Sequence, residues 1–249
     1  MRTARARAFA ALAAALLASG PALAVDASTY LIEPIVTAGE RELDARMGAG
    51  SRGRSITSER DAGIGLGMGL TQRWFSEIAV QYRQASAGSG WDALDWENVV
   101  QLAEQGEWMV DTGILLEIEV PRDRAEGDSL RAGVLLQKDL GYWQVNFNTV
   151  ATRHFDGSEF RLEQWRYQFQ AKYRLRRPLE FGVQAFGSLS AHDRLWVPYE
   201  RQSHRVGPVV LGRFTLSGER SIGYNAAFLL GTTGRSPDRT VRCQLEYEF

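Results

Sequence analysis

Apolar and polar residues alternate one by one along Arg239–Phe249. Val241, Cys243, Leu245, Tyr247 and Phe249 fall on one face, and Thr240, Arg242, Gln244, Glu246 and Glu248 on the other. A period of two belongs to a strand whose faces meet an apolar and a polar medium. Gln164–Arg176 repeats the pattern, with Trp165, Tyr167, Phe169, Ala171, Tyr173 and Leu175 on its apolar side. Trp108–Val120 repeats it again, with Asp111, Glu117 and Glu119 on the polar side. No long segment holds the 3.6-residue period of a helix. Twelve alternating segments can be marked, at 30–47, 59–70, 73–84, 93–104, 108–120, 128–139, 142–153, 163–176, 179–190, 203–216, 220–231 and 239–249. The alternation is weakest in the first and in the fourth, where Asn98 falls on the apolar face.

The connections alternate between short and long. Thr71-Gln72, Gln105–Glu107, Leu140-Gly141, Arg177-Pro178 and Ser217–Glu219 are short. Gly48–Ser58, Ala85–Asp92, Pro121–Gly127, His154–Leu162, Ala191–Gln202 and Thr232–Asp238 are longer. An outer-membrane barrel has this rhythm, with tight periplasmic turns, longer extracellular loops and an even strand count. Lipid tolerates no open sheet edge, so the expected fold is all-β: a closed antiparallel transmembrane barrel of about twelve strands. Tryptophan placement fits the same plan. Trp74, Trp108 and Trp143 each follow a short turn, as an inner-side girdle would, while Tyr82, Trp96 and Trp165 are expected at the outer side.

The first 24 residues read as a secretory signal. Arg2, Arg5 and Arg7 precede an apolar run from Phe9 to Leu17, and Ala22-Leu23-Ala24 supplies a cleavage pattern. Residues 25–249 are then the barrel domain. The whole chain carries 29 basic and 30 acidic residues. That balance gives no reason to expect nucleic acid, which selects for a strongly basic face. Its single cysteine, Cys243, excludes an internal disulfide framework or a Cys-rich metal site, and neither a cofactor nor a metal is expected.

The terminal Leu245-Glu246-Tyr247-Glu248-Phe249 resembles the assembly signal that ends bacterial outer-membrane proteins, with Leu245, Tyr247 and Phe249 as its apolar positions. Asp95-Trp96-Glu97-Asn98, Leu116-Glu117-Ile118-Glu119 and Pro121-Arg122-Asp123-Arg124-Ala125-Glu126-Gly127 resemble a transporter-like family of proteobacterial outer-membrane barrels, similar to the meta-pathway phenol-degradation barrels. The resemblance implies a Gram-negative outer membrane, contact with its lipid and lipopolysaccharide, and insertion by the barrel-assembly machinery. It implies no particular solute.

Several motifs carry less than they suggest. Gly63, Gly65, Gly67 and Gly69 recur every second residue, unlike a phosphate-binding loop, and no helix follows them. An inward glycine stripe on a strand instead permits sharp curvature or close approach of opposite side chains. His154 with Ser158, and His204 with Ser203, allow an outer-leaflet lipid-modifying enzyme as an alternative, though adjacent residues of a strand point to opposite sides. His192-Asp193 gives an omptin-like protease even less support.

With polar faces inward, Glu77, Asp95, Glu97, Asp111, Glu117 and Glu119 form an acidic wall from the third to the fifth strand. Arg166, Lys172, Arg174, Arg176 and Arg213 form a basic one, with Arg131 and Arg242 between. The expected function is passive passage of small polar or amphipathic solutes. Glu77, Glu97, Glu117, Arg131, Arg166, Lys172 and Arg242 are the expected selectivity residues, and Trp74, Trp108, Trp143 and Trp165 the expected girdle. The protein is therefore expected not to be an enzyme. The main alternative is a sealed structural or adhesive barrel in which the interior charges pair and close the lumen.

Overall fold

The computed structural model describes residues 29–52, 55–85, 88–124, 127–155, 164–190, 196–218 and 220–249. These form a closed barrel of twelve antiparallel strands, each paired with its sequence neighbours and the first with the last. The strands are β1 (Arg41–Arg52), β2 (Ser55–Gly69), β3 (Trp74–Ala85), β4 (Gly88–Gln101), β5 (Asp111–Pro121) and β6 (Asp128–Leu140). They continue as β7 (Trp143–Phe155), β8 (Gln164–Arg176), β9 (Leu179–Ser188), β10 (Ser203–Thr215), β11 (Ser221–Gly231) and β12 (Arg239–Glu248). Closure runs from Glu42 opposite Glu248 to Ser51 opposite Arg239, and the Phe249 N–H donates to the Arg41 carbonyl. No free edge remains between β1 and β12, as an apolar surrounding demands.

Alternation sorts the two faces. On β4, Ala93, Asp95, Glu97, Val99 and Gln101 are buried, while Leu94, Trp96 and Val100 are exposed. Ile64, Leu66, Ile78, Val80, Ile118, Phe147 and Phe228 continue that exposed apolar surface round the outside. The polar Asn98 on this surface accepts a hydrogen bond of 3.0 Å from the Trp74 indole N–H.

Four expectations change. The segment 30–47 is not one strand: β1 begins at Arg41, and residues 29–39 turn into the barrel instead. Gly39, with φ of 78°, makes the corner, and its N–H donates to the Gly69 carbonyl. Second, the connections between β1 and β2 and between β3 and β4 are not long loops. Their described residues extend the strands, which pair as far as Arg52 opposite Ser55 and Ala85 opposite Gly88. Paired backbone satisfies its own polar groups, so the wall there rises as a sheet.

Third, Trp108 lies outside any strand. Gln101 ends β4, and residues 102–110 form a wider turn in which the Gly106 N–H donates to the Asp111 carboxylate. Trp74 and Trp143 do begin β3 and β7 at the turn end, and Trp165 sits at the loop end of β8, where its indole donates to Thr149. Fourth, Trp96 faces outward but lies opposite Ile78, and its indole donates to Ser76 Oγ at 2.9 Å. It therefore belongs to the turn-end half. Trp91, opposite Tyr82, takes the loop-end position.

The glycine stripe is explained by close approach. A Cβ on Gly63 would come within 2.7 Å of Gln81 Oε1, and one on Gly65 would collide with the Glu77 carboxylate. One on Gly69 would collide with the Thr37 carbonyl. β2 is thus the bare wall over which inward side chains of β3, and the incoming chain, lie.

Candidate functional site: a charged lumen with an internal strap

Glu77, Glu97, Glu117 and Arg131 stand directly opposite one another on β3, β4, β5 and β6. Adjacent strands are ~4.8 Å apart, so three carboxylates in one row would repel. Cationic and hydrogen-bonding groups reach them from several directions. Arg131 Nη1 lies 2.6 Å from Glu117 Oε1, and its Nη2 binds Glu119. Arg46, projecting from β1, binds Glu77 and holds Asp44 at 2.5 Å. Tyr30 donates its hydroxyl to Glu97 at 2.5 Å, and Gln81 donates to Asp95 at 2.7 Å. The Asp95, Glu117 and Glu119 carboxylates converge within 4.8 Å of one another, a spacing that would suit a cation, but the Arg131 guanidinium already bridges two of them.

The facing wall is built differently. Gln144, Asn146 and Asn148 of β7, Gln168 and Gln170 of β8 and Gln184 of β9 are all buried. Gln170 accepts from Gln184 at 2.6 Å, and Asn146 donates to Gln137 at 3.0 Å. The expected basic wall is therefore interrupted by amides. Arg166 lines the space toward the loop end, while Lys172 lines the space toward the turn end, 3.4 Å from both Glu33 and Glu180. Arg242 is buried, its guanidinium 4.9 Å from the Phe186 ring centroid and one of its N–H groups on the Thr29 carbonyl.

Residues 29–39 cross the lumen between these walls. The Ile32 N–H donates to Gln168 Oε1 at 3.3 Å, and its carbonyl accepts from Asn148 Nδ2 at 2.8 Å. Its side chain packs among Val99, Leu115, Leu135 and Val150. Arg46 stacks over the Tyr30 ring at 3.8 Å, and the Val36 N–H donates to Gln101 Oε1 at 2.8 Å. On either side of this strap lie a loop-end chamber of about 430 Å³ and a turn-end chamber of about 540 Å³. Tyr30, Ile32, Glu77 and Glu97 line both.

Neither Arg46 nor the strap was legible as part of the site. Arg46 alternates correctly with Leu43, Ala45 and Met47, but residues 30–40 blur the period when read as the same strand.

At the rim, His204 has both ring nitrogens engaged, with Tyr167 at 2.9 Å and Gln202 at 2.7 Å. Ser203 Oγ faces Ser236 Oγ at 3.2 Å. Ser158, His192 and Asp193 lie outside the described residues. In the described part of the 191–202 connection Trp196 and Tyr199 are exposed, while Val197 and Gln202 are buried.

Among solved structures, a NanC porin superposes with a TM-score of 0.56 at 11% identity, covering 83% of this chain and 98% of that one. The COG4313 outer membrane channel from Pseudomonas putida F1 gives 0.56 at 13% identity, covering 90% and 99%. The fold is that of an outer-membrane channel. No family model and no curated protein matches the sequence. The closed barrel and its apolar exterior suit a lipid surrounding.

Proposed function

We propose that the barrel is a passive outer-membrane channel for small polar or amphipathic solutes, with selectivity set by the inward charges. The observation that carries this reading is the pair of polar chambers on either side of the strap. Among the described residues, the loop-end chamber is lined by seven carboxylates and five guanidinium groups. The turn-end chamber is lined by eight carboxylates and three cationic groups. An excess of fixed negative charge between low-dielectric walls concentrates cations. Purified protein in a planar bilayer should therefore give discrete conductance steps that favour cations. Folded protein that gives none, and no liposome swelling, would overturn the reading.

The sealed barrel is the second reading, favoured by the strap itself and by the paired interior charges. The same recording separates the two. An outer-leaflet enzyme has less support, because the His204 ring is held by Tyr167 and Gln202.

Residues 1–24 are proposed as a cleaved signal, with lipopolysaccharide and the assembly machinery as partners in the membrane. A relation to the phenol-degradation barrels rests on the sequence stretches alone. Leu245, Tyr247 and Phe249 are proposed as the assembly signal. Deleting Phe249 should leave export intact and abolish the heat-modifiable form on gels.

A further inference from the structure

The strap is held as a bound peptide would be. Its recognition uses main-chain groups first: the Thr29 carbonyl takes an Arg242 N–H, the Ile32 amide and carbonyl take Gln168 and Asn148, and the Val36 amide takes Gln101. Main-chain bonds supply affinity for any extended chain, and side-chain pockets supply the choice among chains. One such pocket is present, filled by Ile32, and beside it the half-exposed Glu33 carboxylate lies 3.4 Å from the Lys172 ammonium and accepts from Gln144 at 3.4 Å.

The seat is also prepared. Asn148 Nδ2 donates to Gln168 Oε1 at 2.8 Å, so the two amides that grip Ile32 orient each other. Asn148 is fully buried, and among the described residues its Oδ1 has no hydrogen-bond partner. A buried acceptor left over beside a peptide seat is a place for one more N–H donor. The seat opens on both sides into chambers of about 430 and 540 Å³, so an occupant longer than the strap's anchor has room at either end.

We propose that the Asn148–Gln168–Gln101–Arg242 seat is a binding site for short extended peptides in which an apolar residue precedes an acidic one, and that residues 29–39 occupy it as a built-in competitor. This deepens the channel reading, and rests on it only in that the lumen must be reachable from water. A tethered competitor is present at an effective concentration on the order of millimolar, so it holds the seat until a free peptide is abundant or binds more tightly.

The test uses the full chain, folded in detergent, and a fluorescein-labelled peptide with the sequence of Thr29–Pro34, followed by polarisation. The reversed sequence is the control. The wild-type chain should bind the peptide weakly. Ile32→Asp, which drives the strap's own anchor out of the apolar pocket, should bind it at least tenfold more tightly. Adding Asn148→Leu and Gln168→Leu should remove that gain. If Ile32→Asp loses heat-modifiable migration, Tyr30→Ala serves as the loosened-strap variant.

Binding no tighter than that of the reversed peptide, or unaffected by the seat substitutions, would overturn the proposal. Polarisation needs no current, so the two readings fail separately. A barrel that binds the peptide without ever conducting keeps the seat and loses the channel. One that conducts but ignores the peptide does the reverse.

Discussion

The two halves of the lumen solve the cost of a polar interior in opposite ways. The half built from β1 and β3–β6 uses full charges: Asp44, Glu77, Asp95, Glu97 and Glu117 against Arg46 and Arg131. The half built from β7–β9 uses neutral amides at its middle, with Asn146, Asn148, Gln170 and Gln184 almost wholly inaccessible, and keeps its charges, Arg166 and Lys172, for the two ends. A buried ion depends on its partner, because desolvation is recovered only while the pair is intact. An amide pair costs little to replace, because folding merely exchanges its bonds with water for bonds within the protein. The charged half is therefore the brittle one, and the amide half is free to spend its hydrogen bonds on the strap.

The largest effect tests that brittleness. Arg46→Met leaves Asp44 and Glu77 buried without their cation and removes the guanidinium over Tyr30. It should destabilise the barrel by roughly 3–5 kcal/mol, read as a lower urea midpoint of tryptophan fluorescence. An unchanged midpoint would mean that water already reaches this half.

Arg131→Gln should cost less, since the Arg131 side chain keeps 22% of its exposure and faces the loop-end chamber. Its main effect should appear in selectivity. Freed of their cation, Glu117 and Glu119 should move the reversal potential in a salt gradient further toward cation preference. Glu117→Gln should move it the other way.

Asn148→Leu tests whether the amide half really holds the strap. It strands the Ile32 carbonyl, at roughly 1–3 kcal/mol, and should speed hydrogen exchange at Ile32 and Val36 while leaving β7 and β8 protected. Uniformly faster exchange across the barrel would count against a local role.

The smallest effect is the control for the comparison. Replacing Gln170 and Gln184 together by Leu removes both ends of a 2.6 Å bond and should change stability by less than ~1 kcal/mol. A loss as large as that of Arg46→Met would erase the distinction between the halves.

Much of this architecture could be read directly from the chain. Strict alternation in β8 and β12 assigns each residue a side, because a period of two leaves a strand no other way to separate apolar from polar groups. The inward placement of Glu97, Glu117 and Arg131 is legible for the same reason, as is that of Gln168 and Gln170. Trp108 and Trp96 show where this reading stops. Alternation gives the side but not the depth, which depends on where a turn such as 102–110 ends and how neighbouring strands are staggered.

Residues 29–39 mark the other boundary. Tyr30, Ile32 and Glu33 alternate loosely, as an edge of β1 would, and nothing local distinguishes a strand in the wall from a strap across the lumen. That choice is made by groups distant in sequence: Glu97, Asn148, Gln168 and Arg242 converge on the strap only once the barrel has closed. The sequence by itself determined a closed barrel with a charged interior, because alternation and lipid allow little else. Only the tertiary structure decided which charges pair, which amides stand between them and what occupies the middle. Those outcomes depend on register and on side-chain reach across the lumen, and no run of neighbouring residues encodes either.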